Sequence, residues 1–276
     1  MSKKVVTFEV NMGLNILSKA KAKEFKSLSS KKERDKQNLF LAEGDKCVAD
    51  TIGAFKIKNL ICTSNWMEAH KDTLQKFEDK ILITDKRGIE IISSLTTPSE
   101  VIAVFEKPES IESVPVLKEN KLYLLLDSIQ DPGNLGTIIR TCDWFGIYEI
   151  FASKNTVDVY SPKVVQSTMG SLSRVNVVYL DLLELIELNR NIKVIGTLLN
   201  GIPLNDTKNL KSGFLLMGNE GKGISEELKK RVDIPLTIPP VNTQSHPDSL
   251  NVSIATAIIL SHLVDNKINI NSTAGD

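Results

Sequence analysis

Leu122-Tyr-Leu-Leu-Leu126-Asp-Ser-Ile-Gln-Asp131-Pro-Gly-Asn134-Leu-Gly136-Thr-Ile-Ile-Arg140 is the stretch from which the fold of this chain is read. Residues 122–126 are apolar without a break, as in a short strand buried on both faces. A polar turn carrying Pro and Gly follows. Leu135, Ile138, Ile139, Cys142 and Phe145 then fall at helical spacing until Gly146 ends the helix. A fully apolar strand that turns directly into an amphipathic helix is the repeating unit of a parallel sheet covered on both faces.

The unit recurs downstream. Strands are predicted at 149–152, 175–179, 193–198, 214–217 and 234–238, with helices near 182–188 and 225–231. Ser161-Pro162 gives an N-cap with Pro at the first helical position, so a helix is expected from Pro162 to about Met169. A long apolar helix over 250–264 closes the fold, and the tail after Lys267 is expected to fray. Upstream, apolar runs at 39–41, 59–63, 81–84 and 101–105 alternate with helical patterns at 45–55, 66–79 and 87–94, the mark of a small α/β domain of βαβ units. Pro108, Ser110, Ser113 and Pro115 mark a linker. The expected organisation is therefore a basic arm with a small domain over 1–107, a linker over 108–120, and a parallel-sheet α/β domain over 121–276.

Composition narrows the class. With 276 residues, 41% hydrophobic and 25% charged, the chain is long enough for two modest α/β domains. No apolar run approaches the about 20 residues that a membrane-spanning helix needs, and no signal-peptide pattern is visible. Cys47, Cys62 and Cys142 are odd in number and lack CxxC spacing, so a reducing cytoplasm is expected, with no disulfide frame and no thiolate metal site. Lys and Arg number 34, and so do Asp and Glu, but they are unevenly placed. Residues 1–38 hold ten basic side chains against four acidic ones, among them Lys31, Lys32, Arg34 and Lys36. A basic arm on an acidic body suits a phosphate backbone, or equally a solvated helix face.

The unusual residues fall on three turns where strands end, the place where parallel sheets bind ligands. The first holds Asn134 near a helix start and Arg140 about two turns along. Helix N-termini attract phosphate, and Arg grips it through a planar fork. The second is Gly218-Asn-Glu220-Gly221-Lys-Gly223, where glycines admit close backbone approach and Glu220 reads as a positioned carboxylate. It is neither a Walker A loop nor a GxGxxG fingerprint. The third is Ile238-Pro-Pro240 through Ser249-Leu250-Asn251, with Ser249 as the expected N-cap and Asn251 needing a hydrogen-bond partner. His70, His246 and His262 form no hydrolytic or zinc pattern.

In this order the three turns resemble the SpoU (TrmH-like) family of RNA 2′-O-ribose methyltransferases in the SPOUT superfamily. Asp131-Pro-Gly-Asn134-Leu-Gly136-Thr-Ile-Ile-Arg140 is similar to its first motif, Gly218–Gly223 to the second and Ser249-Leu250-Asn251-Val252 to the third. Ser161-Pro-Lys163 with 167–170 is similar to a segment near the substrate ribose, and Asn38-Leu-Phe-Leu-Ala-Glu43-Gly44 to the start of the small RNA-binding domain. The resemblance implies S-adenosylmethionine as methyl donor, no metal, a trefoil knot, and a homodimer with an active site shared between subunits. It implies a cofactor pocket at Thr197, Gly218, Gly221, Ile238 and Leu250. Asn134, Arg140, Glu220, Ser249 and Asn251 would surround the ribose, and Lys31, Lys32, Arg34, Lys36 and Ser167 would meet RNA. Residues 241–248 are longer than the family's usual turn and lack its Gly, so contacts there are not carried over.

The expected function is ribose 2′-O-methylation of structured RNA, rRNA before tRNA. A guanidinium keeps its proton at neutral pH, so Arg140 is expected to clamp phosphate and stabilise the developing alkoxide rather than act as base. Two other classes compete: a non-catalytic RNA-binding protein, opposed by the intact polar set, and a dinucleotide enzyme, opposed by the missing fingerprint. A fragment starting near Glu119 is expected to fold, dimerise and bind cofactor on its own.

Overall fold

The computed structural model of the chain describes residues 15–109, 113–207, 210–242 and 247–264. Lys3 and Lys4 of the basic arm, residues 243–246 of the 241–248 insert (His246 among them) and the tail after Lys267 lie outside the described residues. Two compact units are present: Met1–Ser110 together with Asp158–Arg174, and Ile111–Val157 together with Val175–Asp276.

In the first unit, β1 (Asn15–Ile16), β2 (Leu39–Glu43), β3 (Ile57–Thr63), β4 (Ile81–Thr84) and β5 (Val101–Glu106) form one sheet in the order β1-β4-β3-β5-β2. β1, β4 and β3 run parallel, whereas β5 is antiparallel to both β3 and β2, so the sheet is mixed rather than purely βαβ. The reversal has a local cause. Buried Glu43, at the end of β2, accepts hydrogen bonds from Ser93 Oγ (2.6 Å) and the Ser94 amide (2.9 Å). The chain is thus held at the carboxyl ends of β2 and β3 before β5 begins, and β5 starts back from there.

The basic arm is not free. Ser18 caps a helix at Lys19–Ser27, whose Ala22 and Phe25 sit in the core with Leu28, Leu41, Ile61, Ile89 and Val104. The next helix, Lys31–Gln37, buries Arg34. On the other side of the sheet Phe40 and Phe55 pack against Tyr160, with the Phe40 and Tyr160 ring centroids 4.8 Å apart, and Phe105 packs against both phenylalanines. Tyr160 belongs to the late segment Asp158–Arg174, which is therefore built into this unit. Its helix, Pro162–Thr168, buries Val164, Val165 and Thr168, and Cys47 Sγ lies 3.9 Å from the Val165 carbonyl oxygen. At Gly170 (φ +90°) a Cβ would fall 2.4 Å from that of Asp50, so only glycine allows this approach.

The second unit has β6 (Leu122–Leu126), β7 (Glu149–Ala152), β8 (Asn176–Tyr179), β9 (Val194–Pro203), β10 (Gly213–Met217) and β11 (Ile234–Thr237) in the order β11-β9-β10-β6-β7-β8, all parallel. Tyr123, Leu125, Phe151, Phe214 and Leu216 pack with Leu182, Leu185 and Ile186 of a covering helix. β9 runs beyond the expected 198 and is irregular: Pro235 of β11 faces Gly196, but Leu236 faces Ile202. Residues 197–201 therefore bow out of the ladder. The last helix, Val252–Leu263, packs on helix Pro132–Trp144. The three thiols are buried, which pushes Cys47 up to about 11 and Cys62 up to about 12. Among the described residues no helix is long and apolar enough to cross a membrane, and no cluster of three or more His, Cys, Asp or Glu could hold a metal ion.

This division argues against an autonomous fragment. A chain beginning at Glu119 would leave Val159, Val164, Val165 and Leu172 without the surfaces that bury them. Each such side chain contributes roughly 1.5–3 kcal/mol on burial. The fragment is expected to aggregate or to melt about 10 °C or more below the full chain. Size-exclusion chromatography with thermal circular dichroism decides this, and a monodisperse fragment with the full-length melting point would refute it.

Candidate active site

The three turns are joined by side chains that satisfy backbone amides. Asp127, 5% exposed at the end of β6, accepts hydrogen bonds from the Ser225 amide (2.8 Å) and from Ser128 Oγ (3.0 Å). Ser128 is left-handed (φ +59°), and its amide donates to Ser153 Oγ (2.8 Å). Its carbonyl accepts Asn219 Nδ2 at 2.8 Å. Asn219 Oδ1 in turn accepts the amides of Gly221 and Lys222, each at 3.0 Å. The backbones of Asn219 and Gly223 exchange hydrogen bonds of 3.0 and 2.9 Å, closing a tight loop with Glu220 in it. The positive φ that this loop needs is at Gly223 (+69°), not at Gly218 or Gly221. Gly218 is required for a different reason: a Cβ there would lie 2.3 Å from the Gly223 carbonyl carbon and the Ile224 nitrogen. Gly221 is exposed, and nothing crowds it but Asn219 Oδ1 at 3.8 Å.

Asp131, rather than Asn134, caps helix Pro132–Trp144, accepting the Asn134 amide at 2.8 Å with Pro132 at the first position. That leaves the Asn134 side chain available. Its Nδ2 donates to Glu220 Oε1 (2.8 Å), and its Oδ1 accepts Asn251 Nδ2 (2.9 Å). Asn251 Oδ1 accepts the amides of Ser253 (2.9 Å) and Ile254 (3.4 Å) as well as Ser253 Oγ (2.7 Å). Asn251 is therefore the cap of the final helix, which begins at Val252, and the expected cap Ser249 stands exposed ahead of it. Donors and acceptors alternate from the helix N-terminus through two amides to a carboxylate. Such a relay fixes each amide's orientation and passes the helix-end polarity towards Glu220. One carboxylate and two amides thus reach a common point from all three turns.

The remaining expected residues divide. Arg140 is exposed on the same helix as Asn134, with no hydrogen bond or ion pair to it among the described residues. Thr197 Oγ1 donates to the Leu216 carbonyl (3.2 Å) where β9 leaves its ladder, just before Gly218. Ile238 follows β11, and Leu250 is half exposed before Asn251. In the first unit, Lys32 and Lys36 are exposed and Lys31 pairs with Asp35 at 2.6 Å. Lys107 and then Lys31 hold the Asp35 carboxyl below the usual carboxylate range. Ser167 Oγ donates to its own helix at the Lys163 carbonyl (2.7 Å). Arg34 is a correction: at 2% exposed it cannot face RNA, because its guanidinium is taken up by Asp158, Leu28 O and Ser29 O. Asp127, Asp131 and Asn219 were not singled out as site residues. Their signal was an acid or amide at each strand end, next to amides that need an acceptor.

The SpoU rRNA Methylase family model matches residues 121–261, and an MRM3-like substrate binding domain matches 19–103. The chain belongs to the SpoU rRNA methylase family. A 23S rRNA (guanosine(2553)-2′-O)-methyltransferase of Bacillus subtilis is 34% identical over 251 residues, covering 88% of this chain and 95% of that one. A 23S rRNA (uridine(2479)-2′-O)-methyltransferase of Streptomyces viridochromogenes is 33% identical over 62% of each. Among solved structures, an AdoMet-bound rRNA methyltransferase from Sinorhizobium meliloti superposes with a TM-score of 0.78 at 30% identity, covering 91% of this chain and 96% of that one. A putative RNA methyltransferase of the TrmH family from Porphyromonas gingivalis gives 0.79 at 35%, covering 90% and 98%. The SPOUT-type α/β fold follows from these likenesses.

The relay separates capping from orientation. Asn251→Ala removes both and is expected to cost about 1 kcal/mol of stability. Asn251→Asp keeps the capping oxygen and loses only the donor to Asn134, so its stability should stay within about 0.5 kcal/mol of the parent. Urea denaturation measures both, and equal losses in the two variants would refute the capping assignment.

Proposed function

We propose that this member of the SpoU family transfers a methyl group from S-adenosylmethionine to a ribose 2′-oxygen of rRNA. The observation that carries the reading is the Glu220–Asn134–Asn251 relay, which a protein that only bound RNA would not need to build; Arg140 stands exposed further along the helix that bears Asn134. The rRNA methyltransferase relatives, matched over most of this chain, support rRNA over tRNA.

The residues fit the cofactor. Gly221 stands exposed with nothing but Asn219 Oδ1 within 4 Å of where a Cβ would be, residues 197–201 bow out of the ladder, and apolar Leu199 and Leu250 stay exposed while Ile238 is half-buried. Loop backbone and apolar side chains are the donor set that an adenosine-bearing ligand takes, and Thr197, Gly218, Gly221, Ile238 and Leu250 would hold it. When bound, the cofactor supplies an already activated methyl group, so alignment is the main task left to the protein. Arg140 offers a fork to a substrate phosphate and stabilises negative charge growing on the 2′-oxygen as it loses its proton. Glu220, oriented by Asn134, holds the ribose hydroxyl, and Ser249 borders the same place.

Lys31, Lys32 and Lys36 form the basic face through which the small unit would hold RNA. Trp144 (86% exposed), Ile254 and Ile258 lie uncovered on the two helices that pack together, which supports a homodimer through this face. The trefoil knot and a cytoplasmic setting belong to the same reading.

The test uses radiolabelled cofactor with purified rRNA and tRNA, followed by nucleoside analysis. Incorporation into 2′-O-methyl nucleosides of rRNA is expected, and absence of transfer to either RNA would overturn the reading. Arg140→Ala is expected to lower transfer about 100-fold while cofactor affinity stays within a few fold, with Arg140→Lys nearly as poor. Near-normal turnover in the Ala variant would remove Arg140 from the mechanism. RNA affinity should fall steeply with salt, and neutralising Lys31, Lys32 and Lys36 together should flatten the slope by about three counterions. An unchanged slope would show these lysines to be merely solvated.

A further inference from the structure

Of the three members of the relay, Asn134 and Asn251 stand on helices and Glu220 stands on a loop. Asn134 lies in the first turn of helix Pro132–Trp144, and Asn251 caps helix Val252–Leu263. Glu220 follows β10 in the run Gly218–Gly223. Gly221, Lys222 and Gly223 are exposed there, and no buried apolar side chain occurs between Met217 and Ile224. A glycine-rich segment without a core contact does not by itself hold a carboxylate in one place. The backbone bonds between Asn219 and Gly223 close the loop on itself and fix nothing about the turn that leads to Asn134.

Two side-chain bonds attach the loop to that turn, one on each side of Glu220. Before it, Asn219 Nδ2 donates to the Ser128 carbonyl (2.8 Å); after it, the Ser225 amide donates to Asp127 Oδ2 (2.8 Å). Ser128 is set up for the first of these. It holds a left-handed backbone (φ +59°) that side-chain-bearing residues seldom adopt. Its amide is taken by Ser153 Oγ (2.8 Å), and its hydroxyl donates to Asp127 Oδ1 (3.0 Å). With amide and hydroxyl both engaged, the carbonyl has a set direction, and Asn219 is the side chain that meets it. Asn219 Oδ1 meanwhile accepts the amides of Gly221 and Lys222, each at 3.0 Å. One planar amide thus joins loop and turn, and every residue involved belongs to the second unit.

We propose that Asn219 is a positioning residue for methyl transfer. By bridging the Ser128 carbonyl to the Gly221 and Lys222 amides, it holds the loop where the Glu220 carboxylate meets Asn134. Asn219 does not touch the reacting atoms. The inference rests on the methyltransferase reading for its effect on rate, but not for its effect on the Glu220–Asn134 bond.

The experiment compares full-length wild type with Asn219→Ala, Asn219→Asp, Glu220→Ala and the double variant Asn219→Ala, Glu220→Ala. Asn219→Asp keeps the oxygen that the Gly221 and Lys222 amides need and loses only the donor to Ser128, so the loop still folds if the Ala variant does not. Single-turnover methylation of rRNA is one readout. The other is the NMR signal of the Asn134 side-chain amide in protein labelled with heavy nitrogen at asparagine, assigned by its disappearance in Asn134→Ala. Asn219→Ala and Asn219→Asp are each expected to lower the rate about tenfold, and to move the Asn134 signal to the position it takes in Glu220→Ala. Glu220→Ala is expected to lower the rate about 100-fold. The double variant should be slower than that by no more than about twofold, because the placing of a carboxylate that is gone no longer matters. A purely structural role would lower the melting temperature while leaving the rate per folded molecule and the Asn134 signal at their wild-type values. A wild-type rate in Asn219→Asp, an unmoved Asn134 signal, or losses that multiply in the double variant overturns the proposal. If wild type transfers no methyl group, the functional reading fails, and the Asn134 signal alone decides whether Asn219 places Glu220.

Discussion

A backbone amide left without a ladder partner at the end of a strand takes a nearby side-chain acceptor, and the carboxyl edge of the second sheet is organised by such bonds. Strands there end in turns that cannot continue a ladder, so four short side chains complete the bonding. Asp127 serves the Ser225 amide, Asp131 the Asn134 amide, Asn219 two amides of its own loop, and Asn251 the start of the last helix. Each spends one atom on the backbone. In Asn219 and Asn251 the other amide atom is left over, and it is these spare groups that tie one turn to the next.

Much of this was legible in the sequence, for a physical reason. Continuous apolar runs such as Leu122–Leu126 and Phe214–Met217 admit one reading, and five of the six strands of the second unit lie within a residue of where periodicity puts them, whereas β9 starts there but runs on to Pro203. The polar turns were equally visible as places where chemistry concentrates. Which residue did which task was not. Asn and Ser are both good caps, and only the start of the helix at Val252 decides for Asn251 over Ser249. Asp131 and Asn134 are three residues apart, and either suits a helix start until the bond between them is seen. The reversed β5 was hidden because a seven-residue helix, Lys86–Ile92, looks the same before a parallel strand as before an antiparallel one.

Charge counting was the weakest instrument. Ten basic residues in the first 38 read as one surface, yet Arg34 points inward while its neighbours Lys31, Lys32 and Lys36 point out. A sum over a segment does not see helical phase, and Arg34 occupies the phase of the core-facing side. Its acid, Asp158, lies 124 positions away, a separation that no local pattern can bridge.

The chain crosses between its two units three times, near 110, at 157–158 and at 174–175. A protein joined by one tether can trade its accessory domain by a single recombination event in the linker. This one cannot do so neutrally. Exchange at 108–120 would bring in a foreign sheet while keeping the old Tyr160, Val164 and Val165, which are shaped for Phe40, Phe55 and their neighbours. Residues 158–174 and the N-terminal hundred are thus a single heritable surface written in two places. Descendants that replace one must rewrite the other.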